Sequence, residues 1–256
     1  MIDVAELGKF VDDAAMSATA IPQITEKHPD MFVHDAYRIQ KASIDRRLAR
    51  GEKLIGVKMG LTSRAKMVQV GVDEVIWGRL TDRMLLEEGA TLSRGSYVHP
   101  RAEPEIAFLI GKPLSGLVTA MEAMAAVEAV APAIEIIDSR YQNFKFTLPD
   151  VVADNSSSSG VIVGDWFPRE TRIDNLGIVL SENGMPVQIG STAAILGNPV
   201  RSLVAAAKLV ARDGLVLEPG MIVLAGGATA AHPLSVGATV DATFQTLGKV
   251  SITVAE

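Results

Sequence analysis

Cysteine is absent from this chain of 256 residues. Without a thiol there are no disulfides, no thiolate nucleophile and no thiolate metal site. A metal would have to be held by carboxylates, histidine or backbone oxygens, which favours hard ions such as Mg²⁺ or Mn²⁺. Basic charge is also in short supply: 24 Lys and Arg stand against 30 Asp and Glu, for a net charge of -6. Nucleic-acid binding needs a basic face, so no nucleic-acid partner is expected, although a local basic pocket for a small acid is compatible with this balance. No apolar run reaches the ~18 residues of a membrane span. The first residues, MIDVAELGKFVDDAA, are acidic and lack the apolar segment of a secretory leader. A soluble, cytoplasmic protein is expected, and the N-x-S match at Asn155 then carries no weight as a glycosylation site. Also missing are the glycine-rich nucleotide fingerprint, the P-loop, HExxH and the GxSxG elbow. Nucleotide cofactors and serine hydrolysis are accordingly disfavoured.

Hydrophobic residues make up 48% of the chain, enough for a large core in one domain, or one domain with a lobe. Residues 1–50 read as helical. In MFVHDAYRIQKASIDRRLARG, Val33, Tyr37, Ile44 and Leu48 fall near one helical face and Gly51 ends the run. LIGVKMGLTS reads as a strand entering a loop. TAMEAMAAVEAV opens on a capping box, Thr119 with Glu122. NPVRSLVAAAKLVARDG has Asn198 as cap, Pro199 in the first turn and Gly214 as stop. The remainder is mostly short apolar or alternating strands, with Asn183-Gly184 marking a hairpin. There is no internal repeat and no repeated βαβ pattern. The expected fold class is α+β, with an N-terminal helical lobe at about 1–75 and a β-rich core at about 76–256.

The segment HPRAEPEIAFLIG raises the main question, because a strand this apolar carries Glu103 and Glu105. Alternate residues share a strand face, so the two carboxylates point the same way, with Cα atoms roughly 6.5–7 Å apart. Pro104 cannot donate to a ladder, which predicts an edge or a bulge there. A second apolar strand, APAIEIIDSR, carries Glu135. Three buried carboxylates repel one another and are costly to desolvate; a divalent cation removes both difficulties. A solvated strand face would account for Glu103 and Glu105 but not for an acid inside AIEII. The expected metal ligands are Glu103, Glu105 and Glu135, with coordination positions left open.

Lys58, in GVKMGLTS, lies in an apolar strand before a turn, where it would either snorkel or act on an anionic group. Asp82 reads as a turn or cap residue before a functional one. Arg140 and Lys145 offer positive charge for a second substrate carboxylate, or lie at the rim. ADNSSSSG is a loop whose hydroxyls suit carboxylate oxygens, and Gly226-Gly227 in LAGGATAAHP permits close backbone approach ahead of Thr229. His232 reads as a surface loop residue.

In order along the chain, AYRIQ, GVKMGLTS, RAEPEIAFLIG, AIEIIDSR, VADNSSSS and LAGGATAA resemble the 2-oxopent-4-enoate hydratase and 4-oxalocrotonate decarboxylase group of the fumarylacetoacetate hydrolase superfamily. The resemblance runs from about residue 36 to the C-terminus. It implies a mixed β-rich core of the fumarylacetoacetate hydrolase type and an Mg²⁺ or Mn²⁺ site at Glu103, Glu105 and Glu135. It places Lys58 and Asp82 in the chemistry, with Asp82 tuning Lys58. Leu61, Arg140, Ser157, Ser158 and Thr229 fall on the substrate side. Two activities share this constellation: decarboxylation of 2-oxo-3-hexenedioate and hydration of 2-hydroxypenta-2,4-dienoate. GGATAA, and Phe144 and Phe146 around Lys145, resemble the decarboxylase form, while His232 departs from the apolar residue expected there. The resemblance also implies a homo-oligomer and association with a 2-oxopent-4-enoate hydratase.

Overall fold

The computed structural model describes residues 2–63, 67–68 and 74–256. Helices α1 (Val4–Met16) and α2 (Val33–Ala49) come first. Strands β1 (Leu54–Gly60), β2 (Ile76–Thr81), β3 (Leu85–Leu86), β4 (Thr91–Ser93) and β5 (Arg101–Ile110) follow. Next are α3 (Ala120–Ala125), β6 (Val127–Ile137), α4 (Leu148–Ala153), β7 (Ser158–Val163) and β8 (Phe167–Pro168). The chain ends with the hairpin β9 (Gly177–Glu182) and β10 (Met185–Ser191), α5 (Pro199–Arg212), β11 (Ile222–Leu224), β12 (His232–Pro233), β13 (Thr239–Phe244) and β14 (Gly248–Ala255). This is the expected α+β arrangement, helices first and a sheet core after. The core begins earlier than expected, however. β1 is an inner strand of the large sheet, so the helical part ends near residue 50 and not near 75.

The large sheet runs β2-β1-β11-β5-β6-β7-β3, with β12 also on β5 and β8 on β6; the small one runs β10-β9-β13-β14-β4. β2 and β3 lie at opposite ends of the large sheet, yet only Asp82–Met84 separates them in sequence. The sheet must therefore curl until its edges approach, as a closing barrel does. Its outer face carries Val57, Met59, Ala102, Ile106, Phe108, Ile134 and Ile136 into the main core, shared with the small sheet and α5. Its inner face is lined by small or slender side chains, among them Ala107, Ala131, Ala133, Val161 and Leu224. The alternation predicted for β5 thus holds, and it points both glutamates inward. Helices α1, α2 and α4 form a second apolar cluster with Ile76 and Tyr141.

Local signals explain the elements. Asn198 Oδ1 accepts from Val200 N at 2.9 Å and starts α5; Gly214, at φ 71, follows its end. The stretch Thr192–Arg212 is by length and composition apolar enough to cross a membrane, although run length alone did not reveal it. In the fold α5 lays Leu203, Ala206, Ala207 and Val210 into the core. Asn183 and Gly184, at φ 51 and 78, close the β9–β10 hairpin as their sequence predicts.

Pro104 corrects an expectation. β5 is an inner strand, paired with β6 along its length and with β11 and β12 on its other side. Between β11 and β12 that second partner leaves the ladder as residues 225–231, with Ala225 N donating to Ile106 O and Ala228 N to Pro104 O. The missing proline N–H faces this gap, where no ladder acceptor waits.

Gly78 of β2 is where the curl meets the loop after α4: a Cβ there would lie 2.4 Å from Asn155 O. Gly78→Ala is expected to cost about 1–3 kcal/mol by overpacking, read from urea unfolding; unchanged stability would show that the two segments do not touch.

Candidate metal centre and active site

Register builds the centre. Glu103 of β5 sits directly opposite Glu135 of β6, and Glu105 lies one alternate step deeper, opposite Ala133. Their exposures are 6%, 0% and 0% for Glu103, Glu105 and Glu135. One oxygen from each comes within 4.8 Å of the others. Glu105 Oε2 accepts the Gly226 N–H at 2.6 Å. Its Oε1 has no hydrogen bond, nor has either oxygen of Glu135. Glu135 has instead an ion pair, with Lys58 Nζ 3.0 Å from its Oε2. Among the described residues Lys58 is the ammonium paired within this cluster, and burying Glu105 and Glu135 beside Glu103 is costly by itself. Burial, reinforced by Glu135, holds Glu105 well above the usual carboxylate range, against the pull of Lys58. Burial also raises Glu135, again opposed by Lys58. Glu105 Oε1 and Glu135 Oε1, buried without a hydrogen bond and within reach of Glu103, are hard donors that fit Mg²⁺ or Mn²⁺.

Lys58 and the serine loop complete the centre. Nζ of Lys58 donates to Ser156 O at 3.0 Å. Asn155, Ser156 and Ser157 all carry positive φ, at 49, 51 and 61. Such a run of non-glycine residues persists only where neighbours over-determine it. Here Asn155 exchanges two side-chain bonds with the backbone of Arg79, each 2.8 Å. Ser156 Oγ donates to Trp77 O at 2.8 Å, and Asp138 N donates to Ser157 O at 2.8 Å. The forced backbone leaves the Ser157 and Ser158 hydroxyls buried without a partner. They are the groups the sequence assigned to substrate oxygens.

Two expected site residues lie elsewhere in role. Arg140 is buried and pairs through Nε with Asp154 Oδ1, through Nη2 with Asp154 O at 2.7 Å, and through Nη1 with Ser159. It clamps both flanks of the serine loop and does not offer its charge to a substrate. Burial pushes Asp154 up to about 6 even against this arginine. Asp82 is exposed and accepts from Lys53 N at 2.9 Å. Lys58 is opposite Gly78, so Asp82 stands four residues along the strand, roughly 13 Å away. It caps a turn, the alternative its sequence had offered, and does not tune Lys58.

The other positions are less decisive. Leu61 is half-buried at φ 55, directly after β1. Thr229 is half-buried and donates to Ala230 O at 2.9 Å. Lys145 is exposed. His232 is half-buried, not a free surface residue, and bridges the two sheets through Nε2 to Glu182 at 2.8 Å. Sequence reasoning missed Thr62 and Asp154. Thr62 Oγ1 is buried without a partner, 2.0 Å from where a Cβ on Gly226 would stand. That fixes Gly226 as glycine, at φ 106. An acid directly before the serine run was the signal for Asp154.

Residues 59–255 match the family described as "Fumarylacetoacetate (FAA) hydrolase C-terminal". The chain belongs to the fumarylacetoacetate hydrolase family. Among family relatives, a 4-oxalocrotonate decarboxylase from Pseudomonas sp is 53% identical over 248 residues, covering 97% of this chain and 96% of the relative. The structure of 4-oxalocrotonate decarboxylase from Pseudomonas putida G7, complexed with magnesium and adipate, superposes with a TM-score of 0.95 at 38% identity, covering 98% and 97% of the two chains. A 2-hydroxyhexa-2,4-dienoate hydratase from Comamonas testosteroni is 34% identical over 250 residues, covering 96% and 95%. The fumarylacetoacetate hydrolase fold accounts for the inward glutamates: the curled sheet gives them one concave face.

Three outcomes are expected. A carboxyl whose value is raised in the folded state favours folding while protonated; this benefit is full below the usual carboxylate range and fades as pH rises through the raised value. A divalent ion takes the proton's place. Metal-free protein should therefore lose stability as pH rises, and the increase in Tm on adding Mg²⁺ should be larger at about pH 8 than at about pH 6. Calorimetry showing an equal or larger increase at the lower pH contradicts this. Arg140→Leu leaves Asp154 buried and unpaired and should cost about 3–5 kcal/mol in urea unfolding, whereas Asp82→Asn should leave turnover within about twofold of the parent.

Proposed function

We propose that this chain is a metal-dependent 4-oxalocrotonate decarboxylase, converting 2-oxo-3-hexenedioate to 2-hydroxypenta-2,4-dienoate and CO₂ in meta-cleavage breakdown of aromatic compounds. The observation that carries the proposal is the buried Glu103–Glu105–Glu135 cluster beside Lys58, in a chain 53% identical to a decarboxylase of that name. Glu103, Glu105 and Glu135 are the residues that hold the ion. When bound, Mg²⁺ supplies a Lewis acid for the oxalyl oxygens of the substrate.

The chain's own residues do the remaining work. The unpartnered hydroxyls of Ser157 and Ser158 donate to the oxalyl carboxylate. Gly226 N–H holds Glu105 in place. Lys58 Nζ, aimed by Glu135 and Ser156 O, stands as the proton donor. The C5–C6 bond breaks and CO₂ leaves. Its electron pair passes through the enone to the 2-oxo oxygen, and the Lys58 proton completes the dienol. The inner apolar residues around Ala107, Ala133 and Val161 exclude water from this transfer.

The hydratase reading uses the same constellation, but the hydratase relative stands at 34% identity against 53% for the decarboxylase. A homo-oligomer and association with a hydratase belong to the proposal as well. Exposed Leu117, Met121 and Ile189 are apolar surface that an assembly would cover. A cytoplasmic location follows the same reading, supported by the absence of cysteine.

The direct test is CO₂ release from 2-oxo-3-hexenedioate with Mg²⁺ and with EDTA. Metal-dependent CO₂ is expected; consumption of 2-hydroxypenta-2,4-dienoate without CO₂ from the diacid moves the chain to the hydratase branch. Lys58→Met should lower CO₂ release by about 10²-fold or more while still binding Mn²⁺.

A further inference from the structure

The proposed substrate is a dianion, and the metal centre and serine loop account for one of its two carboxylates. Glu103, Glu135 and Val161 form one row across β5, β6 and β7. In the next alternate row, Arg101 is opposite Ile137, and Ile137 is opposite Ser158. Pro233 of β12 flanks Arg101 on the other side. Alternation puts Arg101 on the face of Glu103 and Glu105, and Ile137 on the face of Glu135. Exposure along this face rises from 0% at Glu105 to 6% at Glu103, and Arg101 is half-buried. The opposite direction is closed by Ala107, Ala131 and Ala133. A molecule gripped at the glutamates therefore extends toward Arg101.

Arg101 is suited to meet it. Its guanidinium lies 4.0 Å above the Phe144 ring, and among the described residues no carboxylate pairs with it. The buried arginines nearby are both committed, Arg79 to Asp213 and Arg140 to Asp154. Phe144 is itself fixed, with Phe146 at 5.7 Å and His99 at 6.2 Å between ring centres. Asn143 and Phe144 both hold positive φ, at 59 and 55, to place that ring. A guanidinium held over a ring face leaves N–H groups for a two-point carboxylate contact.

We propose that Arg101 recognises the distal carboxylate of the diacid, facing Ser158 across the apolar Ile137. This rests on the decarboxylase reading and names a specificity-determining residue within it. One alternate step along a strand, ~6.6 Å, is comparable with the span of a six-carbon diacid. The contact selects diacids on entry and does not assist bond breaking, since it favours the charged carboxylate that must leave.

The test compares two probes that share the oxalyl end, 2-oxoadipate and 2-oxohexanoate. Both are titrated by calorimetry into Mg²⁺-loaded protein. The parent should bind the diacid about tenfold or more tightly than the monoacid. Arg101→Gln should reduce that ratio to about two or less, chiefly by weakening the diacid, with Arg101→Lys between. Mn²⁺ affinity, read by electron paramagnetic resonance, should not change. A ratio retained in Arg101→Gln overturns the proposal, as does equal weakening of both probes. Should Arg101→Gln not fold, a ratio unchanged in Arg101→Lys overturns it and a reduced one supports it. A parent that binds neither probe defeats the decarboxylase reading and the proposal together, whereas a parent that binds both equally defeats the proposal alone.

Discussion

Three carboxylates turned inward by a curled sheet, one of them paired to the buried Lys58, set the terms for the rest of this structure. Each carboxylate is carried by a strand that could not turn it elsewhere, because the outer face of β5 and β6 is filled by Ile106, Phe108, Ile134 and Ile136. A one-residue slip of either strand would move its glutamates into that core and its isoleucines into the site. The charge imbalance is thus written into the register, and a bound cation resolves it.

Around this centre the chain holds a loop in an unfavourable backbone state and braces it from three directions. Arg79 and Trp77 of β2 hold Asn155 and Ser156, Asp138 holds Ser157, and Arg140 clamps Asp154 and Ser159. The result is two hydroxyls without protein partners beside a lysine whose direction is set by one carbonyl and one carboxylate. Preorganised polar groups in a dry cavity act on developing charge without having to reorganise. Gly226 and Thr62 make the opposite wall, where close approach leaves no room for a Cβ.

Much of this was legible in the chain. The E-x-E spacing, the isolated glutamate in AIEII and the lysine in GVKMG are local patterns, and strand alternation turns each into a direction. Pro104 and Arg140 were misread for a common reason, and Asp82, read locally as a turn or cap, misled only through the role the resemblance gave it. The first two depend on what another segment does: the departure of residues 225–231 from the ladder and the approach of Asp154 to Arg140. Local pattern carries no information about such partners. The pairing of Arg101 with Phe144 was hidden likewise, since they stand 43 positions apart.

A cation, not protein packing, makes the three carboxylates tolerable. Equilibrium unfolding of the parent and Glu105→Gln, each with EDTA and with Mg²⁺ at about pH 8, addresses it most directly. Without metal the variant should be at least as stable as the parent, because it removes one uncompensated buried charge. With Mg²⁺ the order should reverse, because the variant loses a ligand. A variant less stable by the same amount in both conditions, with no effect of Mg²⁺ on the parent, would contradict the claim and make the cluster a structural network that needs no ion.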